Sequence, residues 1–176
     1  MEGTWNMIKK IDKDGLLLCE LQATAFELSL SMQGASSEIF IRRFMNSSIA
    51  KELDSADILQ TNIQGKDIVE RIDEEYGASN YGSFKYTPNE MYWIGYIYRY
   101  YAYTYGRTSA QVYKTVKPKE LRGLFLPYHT MDPAQAIDRI LEAKGLTIDF
   151  VNEEERQYGI YKRIRMAEKA RKRQTR

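Results

Sequence analysis

The sequence predicts an all-α protein: a compact multi-helix domain followed by a charged C-terminal helix. Three observations predict it. Thr87-Pro88-Asn89-Glu90 forms a capping box with proline at the first helical position. Asp132-Pro133-Ala134-Gln135 repeats that logic. Apolar residues recur at three- and four-residue spacing through most of the chain.

Taken in order, residues 1–17 read as a lead-in, 18–150 as the helical domain and 151–176 as a basic helix or tail. Leu18, Leu21, Ala25, Leu28 and Met32 lie at helical spacing, with Gly34 placed to end the helix. Alternation at Phe26, Leu28, Leu30 and Met32 also permits a strand. Ser36 or Ser37 can cap a helix through Ile39, Phe40, Phe44 and Met45, interrupted at Asn46-Ser47-Ser48. Residues 56–65 read as an irregular connection, 67–76 as a helix ending at Gly77, and 77–86 as a loop. The helix opened by Thr87 should run to Tyr105 and stop at Gly106. Ser109 can cap a short helix with Val112, Tyr113 and Val116. Pro118 opens another, with Leu121, Leu124 and Phe125 as its stripe and Pro127 closing it. Ile137, Ile140 and Leu141 define a helix ended by Gly145. Residues 146–150 read as an extended link, and a charged helix follows from Glu153 to about Arg173.

Composition narrows the function classes. With 176 residues, 43% of them hydrophobic, the chain can bury a core without metal or disulfide staples. Cys19 is the lone cysteine, which suits a reducing compartment. The apolar run Leu16 to Leu18 is too short for a signal or a membrane span. A soluble, cytoplasmic protein is expected. Net charge is +2, but residues 156–176 hold nine Lys/Arg against one acidic residue, giving +8 and leaving −6 on residues 1–155. Such asymmetry speaks of partners and says nothing of fold.

No constellation for an enzyme is found. His129 is the sole histidine, and a hydrogen bond fixing the turn between two helices is the role expected of it. Asp73, Glu74 and Glu75 point in different directions on a helix and read as a solvated face. There is no phosphate loop, G-x-G-x-x-G or H-E-x-x-H. No cofactor and no metal are expected.

The candidate binding residues lie elsewhere. Tyr92, Trp93, Tyr96, Tyr98, Tyr100, Tyr101, Tyr103 and Tyr105 fall within fourteen residues, with Arg99 among them. A surface helix needs one apolar stripe about 100° wide, and this helix has more than one. Either it is buried on most sides, or it presents aromatics to a partner. Ile94, Ile97 and Tyr101 are assigned to the core, and Tyr92, Tyr96, Arg99 and Tyr103 to a partner-binding face. Arg42 and Arg43, beside Ile39-Phe40-Ile41, are either solvated arginines or part of that interface. In the tail, Lys162, Arg163, Arg165, Lys169, Arg171, Lys172 and Arg173 can meet phosphate backbones, dock on an acidic surface, or remain a solvated helix.

A resemblance adds to this reading. Residues 36–47, Ser-Ser-Glu-Ile-Phe-Ile-Arg-Arg-Phe-Met-Asn-Ser, are its first carrier. Residues 92–100, Tyr-Trp-Ile-Gly-Tyr-Ile-Tyr-Arg-Tyr, are the second, joined by Val112-Tyr113-Lys114 and by Pro127-Tyr128-His129-Thr130-Met131-Asp132-Pro133. Together they resemble a family of small bacterial antitoxins over about residues 21–144. The stretch from Tyr98 to Leu141 also resembles an uncharacterised helical domain encoded beside ADP-ribosyltransferase-like toxins. The resemblance implies an antitoxin that binds a cognate protein toxin, and it assigns no binding residues. A nucleic-acid-binding regulator using the basic tail is the alternative, and a purely structural subunit is a third.

Overall fold

The computed structural model describes residues 8–174, those of 147–160 by backbone alone. Every regular element among them is helical: nine α-helices and one 3-10 helix, with no strand. The all-α expectation therefore holds. The chain divides into two compact units, one up to Ala134 and one from Gln135 onward.

In the first unit, α1 (Lys13–Met32) starts inside the expected lead-in, because Asp12 caps it by accepting from the Gly15 amide at 2.9 Å. Residues 1–7 of that lead-in lie outside the described residues. The strand alternative for 26–32 fails: Leu18, Gln22, Ala25, Phe26 and Ser29 are buried at helical spacing. No glycine in the left-handed region closes α1. Lys85 Nζ instead donates to the carbonyls of Leu30 and Gln33, at 2.8 and 2.5 Å, satisfying two groups the helix end leaves free.

Ser36 caps α2 (Ser37–Met45) and Ser47 caps α3 (Ser48–Leu53). Phe40 and Phe44 of α2 pack on Phe26 of α1 edge to face, with ring centroids 5.6 and 4.9 Å away. The connection expected to be irregular contains a 3-10 helix, Ala56–Thr61. Gln64 and Asp67 form a reciprocal capping box that starts α4 (Gly65–Tyr76) two residues earlier than expected. The loop after Gly77 is held by main-chain bonds from Ser36 and Ser37 to the carbonyls of Tyr81 and Phe84, both 3.1 Å.

The Thr87–Glu90 capping box opens α5 (Pro88–Tyr105), and Gly106 closes it at φ 63°. Among the described residues the most extensive helix pairing is α5 on α1. Gly95 permits it: a Cβ there would lie 2.8 Å from Phe26 Cγ and 3.0 Å from Ala23 Cα. Two short helices follow, α6 (Ser109–Thr115) and α7 (Pro118–Tyr128). The cap of α6 is Thr108, with Gln111 completing the box, and Ser109 is the first helical residue. Pro127 sits inside the last turn of α7 and does not end it.

In the second unit, α8 (Pro133–Ala143) begins at the unit boundary and carries the expected stripe of Ile137, Ile140 and Leu141, all buried. Gly145, at φ 70°, closes it. The expected extended link at 146–150 is helical, because α9 runs from Leu146 to Gln174 directly after that glycine. No helix among the described residues is long and apolar enough to cross a membrane.

Candidate partner-binding cleft

Helix α5 has three kinds of face. Met91, Ile94 and Ile97 are buried, and Tyr98 is buried with its hydroxyl donating to the Val116 carbonyl at 2.6 Å. Tyr101, assigned with Ile94 and Ile97, is half-buried and stacks on Tyr105 at 5.0 Å.

A second face corrects the sequence assignment. Arg99 is only 1% exposed and cannot present itself to a partner. Its Nε donates to Gln22 Oε1 at 2.8 Å, Nη1 to Asp54 Oδ1 at 2.7 Å and Nη2 to Ser109 Oγ at 2.7 Å. The same Asp54 carboxylate accepts from the Ser109 amide and hydroxyl, and Gln22 Nε2 donates to the Gly95 carbonyl at 3.0 Å. Burial pulls the guanidinium pKa below its ordinary value, and the Asp54 charge opposes that pull. The network ties α1, the end of α3, α5 and the start of α6 into one body. It also explains why Thr108, not Ser109, is the cap of α6: the Ser109 hydroxyl is taken by Arg99 and Asp54.

Tyr103 is likewise turned inward to its own chain. Its hydroxyl donates to Asp12 Oδ1 at 2.7 Å, and Lys9 Nζ lies 5.1 Å from its ring centroid. Arg42 and Arg43 sit apart from the aromatic helix. Arg43 donates to the Gly77 carbonyl at 3.1 Å and lies over the Tyr76 ring, while Arg42 is exposed and acts electrostatically on Tyr113. Of the six proposed partner-binding residues, Arg99 is buried, Tyr103 is bonded to Asp12, and Arg42 and Arg43 belong to a different helix, while Tyr92 and Tyr96 lie together on the accessible side of α5.

Those two lie on the third face. Tyr92, Tyr96 and Tyr100 stack along α5 with ring centroids 6.4 and 6.3 Å apart. Beside them opens a cleft of about 680 Å³. One wall is Tyr92, Trp93 and Tyr96 of α5; another is Phe125 and Leu126 of α7; Glu27 of α1 contributes a carboxylate. Trp93 meets Phe125 edge to face at 5.9 Å. Phe125 in turn stacks on His129 at 4.3 Å.

His129 caps the end of α7, as a turn-fixing role requires. Its Nδ1 lies 2.7 Å from the Phe125 carbonyl and 3.2 Å from that of Leu126, so Nδ1 carries the proton and donates. This bond holds the end of α7 in place and leaves Leu126 standing 79% exposed at the cleft edge. Burial raises the Tyr92 hydroxyl, with the Glu20 and Glu27 charges adding to it, and pushes Tyr96 up to about 12. Both rings are neutral phenols at ordinary pH, built for stacking and hydrogen bonding.

Sequence reasoning missed Glu27, Phe125 and Leu126 as site residues. Leu126 carried a signal: it falls off the Leu121–Leu124–Phe125 stripe, so a helix must expose it. Glu27 carried none, since its placement depends on how α1 meets α5. No group of three or more His, Cys, Asp or Glu side chains suited to a metal ion occurs among the described residues. The basic residues Lys162, Arg163, Arg165, Lys169, Arg171, Lys172 and Arg173 are all exposed on α9. No family model, curated protein or solved structure matches the chain.

Proposed function

We propose that this chain is a binding protein that neutralises a cognate protein toxin by covering its active site, and that the α5–α7 cleft is its contact surface. The observation that carries the reading is the exposed apolar edge of that cleft: Leu126 is 79% and Tyr92 36% exposed beside Trp93 and Phe125. Large side chains displayed on a rigid helical frame are what hot spots are made of. Tight neutralisation requires about 1,600 Å² of total buried surface, so the cleft would anchor a broader contact. That the partner is a toxin, ADP-ribosyltransferase-like in kind, rests on the sequence resemblance.

The test is genetic and direct. The neighbouring reading frame, expressed alone, should arrest growth, and co-expression of this chain should restore it. Leu126→Asp should abolish protection without lowering the melting temperature, since the side chain is already in solvent. Full protection by a folded Leu126→Asp chain would remove the cleft from the contact surface.

The second reading, a nucleic-acid-binding regulator, is favoured by α9. Its residues 161–174 are uniformly exposed and rich in Lys and Arg. Binding through them should weaken steeply with salt and vanish on truncation after Glu155. A truncated chain that still protects would separate the tail from neutralisation.

A further inference from the structure

Several aromatic rings of the first unit carry a cation of the same chain. Lys117 Nζ lies 4.2 Å from the Tyr113 ring centroid. The Arg122 guanidinium lies 4.7 and 4.9 Å from Phe84 and Tyr86. Lys9 covers Tyr103 and Arg43 covers Tyr76. Among the described residues no cation lies over Tyr92, Tyr96 or Tyr100. The carboxylates beside them are unpaired as well. Glu27, in the cleft wall, and Glu20, which acts electrostatically on Tyr92 and Tyr96, make no ion pair within the described residues. Glu90, by contrast, is joined to Arg122 at 3.1 Å.

We propose that the cleft takes the cationic side chain, arginine or lysine, of a basic segment of a partner protein. The inference rests on the reading of the cleft as a partner-binding site and specifies the chemistry that site accepts. A cation within about 6 Å of a tyrosine ring is attracted by its negative face. Here the stacked Tyr92 and Tyr96 supply that face, and Glu27 supplies a full negative charge. The apolar rings of Trp93 and Phe125 in the cleft walls suit the methylene stem of a long basic side chain, which lies along apolar surface while its head keeps polar contacts. The arrangement repeats toward a partner the cation–ring pairing that the chain makes internally at Tyr113, Tyr86 and Tyr103. An acidic side chain would meet the Glu27 carboxylate in the cleft wall and be repelled.

The test uses the full chain with Trp5→Phe, so that Trp93 emission alone reports the cleft. It is titrated with a short glycine–serine peptide carrying one arginine, and with the same peptide carrying citrulline, the uncharged isostere. The arginine peptide should change Trp93 emission and bind about fivefold or more tightly than the citrulline peptide. Glu27→Gln should weaken the arginine peptide about threefold or more and leave the citrulline peptide unaffected. Because Glu27 is exposed, its folding is checked by an unchanged melting temperature. Equal binding of the two peptides, no effect of Glu27→Gln, or no response at millimolar arginine peptide would each overturn the proposal. The outcomes stay separable from the neutralisation test. If Leu126→Asp abolishes protection but the peptides are not discriminated, only the cation inference falls. If arginine is selected but Leu126→Asp still protects, the cation site stands and the cleft's role in neutralisation falls.

Discussion

Asp54→Ala should be among the most damaging single substitutions in this chain, although the residue lies at the end of a short helix near the surface. The side chain of Arg99 is 1% exposed and that of Asp54 is 18% exposed. Removing the carboxylate leaves a buried guanidinium with only the neutral oxygens of Gln22 and Ser109. It also strips the acceptor from the Ser109 amide at the start of α6. Breaking a buried pair by deleting one partner costs about 3–5 kcal/mol. Because the Asp54 edge is partly open and water can enter there, about 3 kcal/mol is expected. For a chain of this size that lowers the melting temperature by roughly 6–12 °C. An internal control exists. Arg71 and Glu52 also pair at 2.7 Å, but their side chains are 38% and 51% exposed. Glu52→Ala should therefore cost about 0–1 kcal/mol despite the identical distance. Urea unfolding followed by far-UV circular dichroism measures both. Adding Arg99→Met to Asp54→Ala should recover part of the loss, because the uncompensated charge is gone. If Asp54→Ala and Glu52→Ala cost the same, burial is not what gives the Arg99 network its weight, and the argument fails.

Further outcomes follow from the same geometry. Gly95→Ala should destabilise by up to about 2 kcal/mol in urea unfolding: the helix gains about 1 kcal/mol in propensity, but the new Cβ collides with Phe26 and Ala23, and overpacking costs about 1–3 kcal/mol. Cys19 is fully buried, and burial pushes its thiol up to about 12, so a maleimide at pH 8 should label it only in denaturant; rapid labelling of the native chain would contradict the packing of α1. The Tyr103–Asp12 clamp has two pH limits. The hydrogen bond to Asp12 pushes the Tyr103 hydroxyl up to about 12 from an ordinary 10, so the folded state holds that proton more tightly, and its stabilisation is lost as pH rises from 10 through 12. The same bond lowers the Asp12 carboxyl below its ordinary value of 3.8, so that contribution is present above 3.8 and lost as pH falls below it. The stability difference between the parent and Tyr103→Phe should be flat from pH 5 to 9 and shrink at both extremes; a difference independent of pH across that range would rule the bond out.

Helix boundaries were legible wherever the signal was local. Thr87 with Glu90, Gly77 and Gly106 act through bonds or backbone angles spanning a few residues, and the structure uses each as read; of the two caps read for α2, Ser36 and Ser37, it uses Ser36. The reading failed where distant partners choose between equivalent signals. Thr108 and Ser109 are both good caps, and only the Asp54 carboxylate, fifty-five positions away, decides which hydroxyl is free to act as one. Residues 146–150 read as an extended link, yet Gly145 turns the backbone and α9 begins at once. The cleft was less legible than the fold for the same reason. Its rings lie on α5 and α7 and its carboxylate on α1, and no spacing within one helix connects them.

The error at Arg99 is instructive because the information to avoid it was in the sequence. Tyr96, Arg99 and Tyr103 do fall on one side of a helix, but a shift of one residue moves about 100° around the axis. The row that faces α1 is Gly95, Arg99 and Tyr103, four residues apart. Gly95 lies against Ala23 and Phe26, Arg99 reaches Gln22, and the Tyr103 ring would touch any Cβ on Gly15 at 2.6 Å. The next row around the helix is Tyr92, Tyr96 and Tyr100, also four apart, of which Tyr92 and Tyr96 are accessible and Tyr100 is buried. A glycine inside a long helix costs about 1 kcal/mol relative to alanine, and close approach of another backbone is a physical reason to accept that cost. Gly95 therefore marks the buried row, and stepping by four from it assigns Arg99 to the interior. An arginine assigned to the interior must find carboxylate and hydroxyl partners, which turns attention from a binding surface to Asp54 and Ser109. It leaves the Tyr92 row as the one with side chains to spare for a partner.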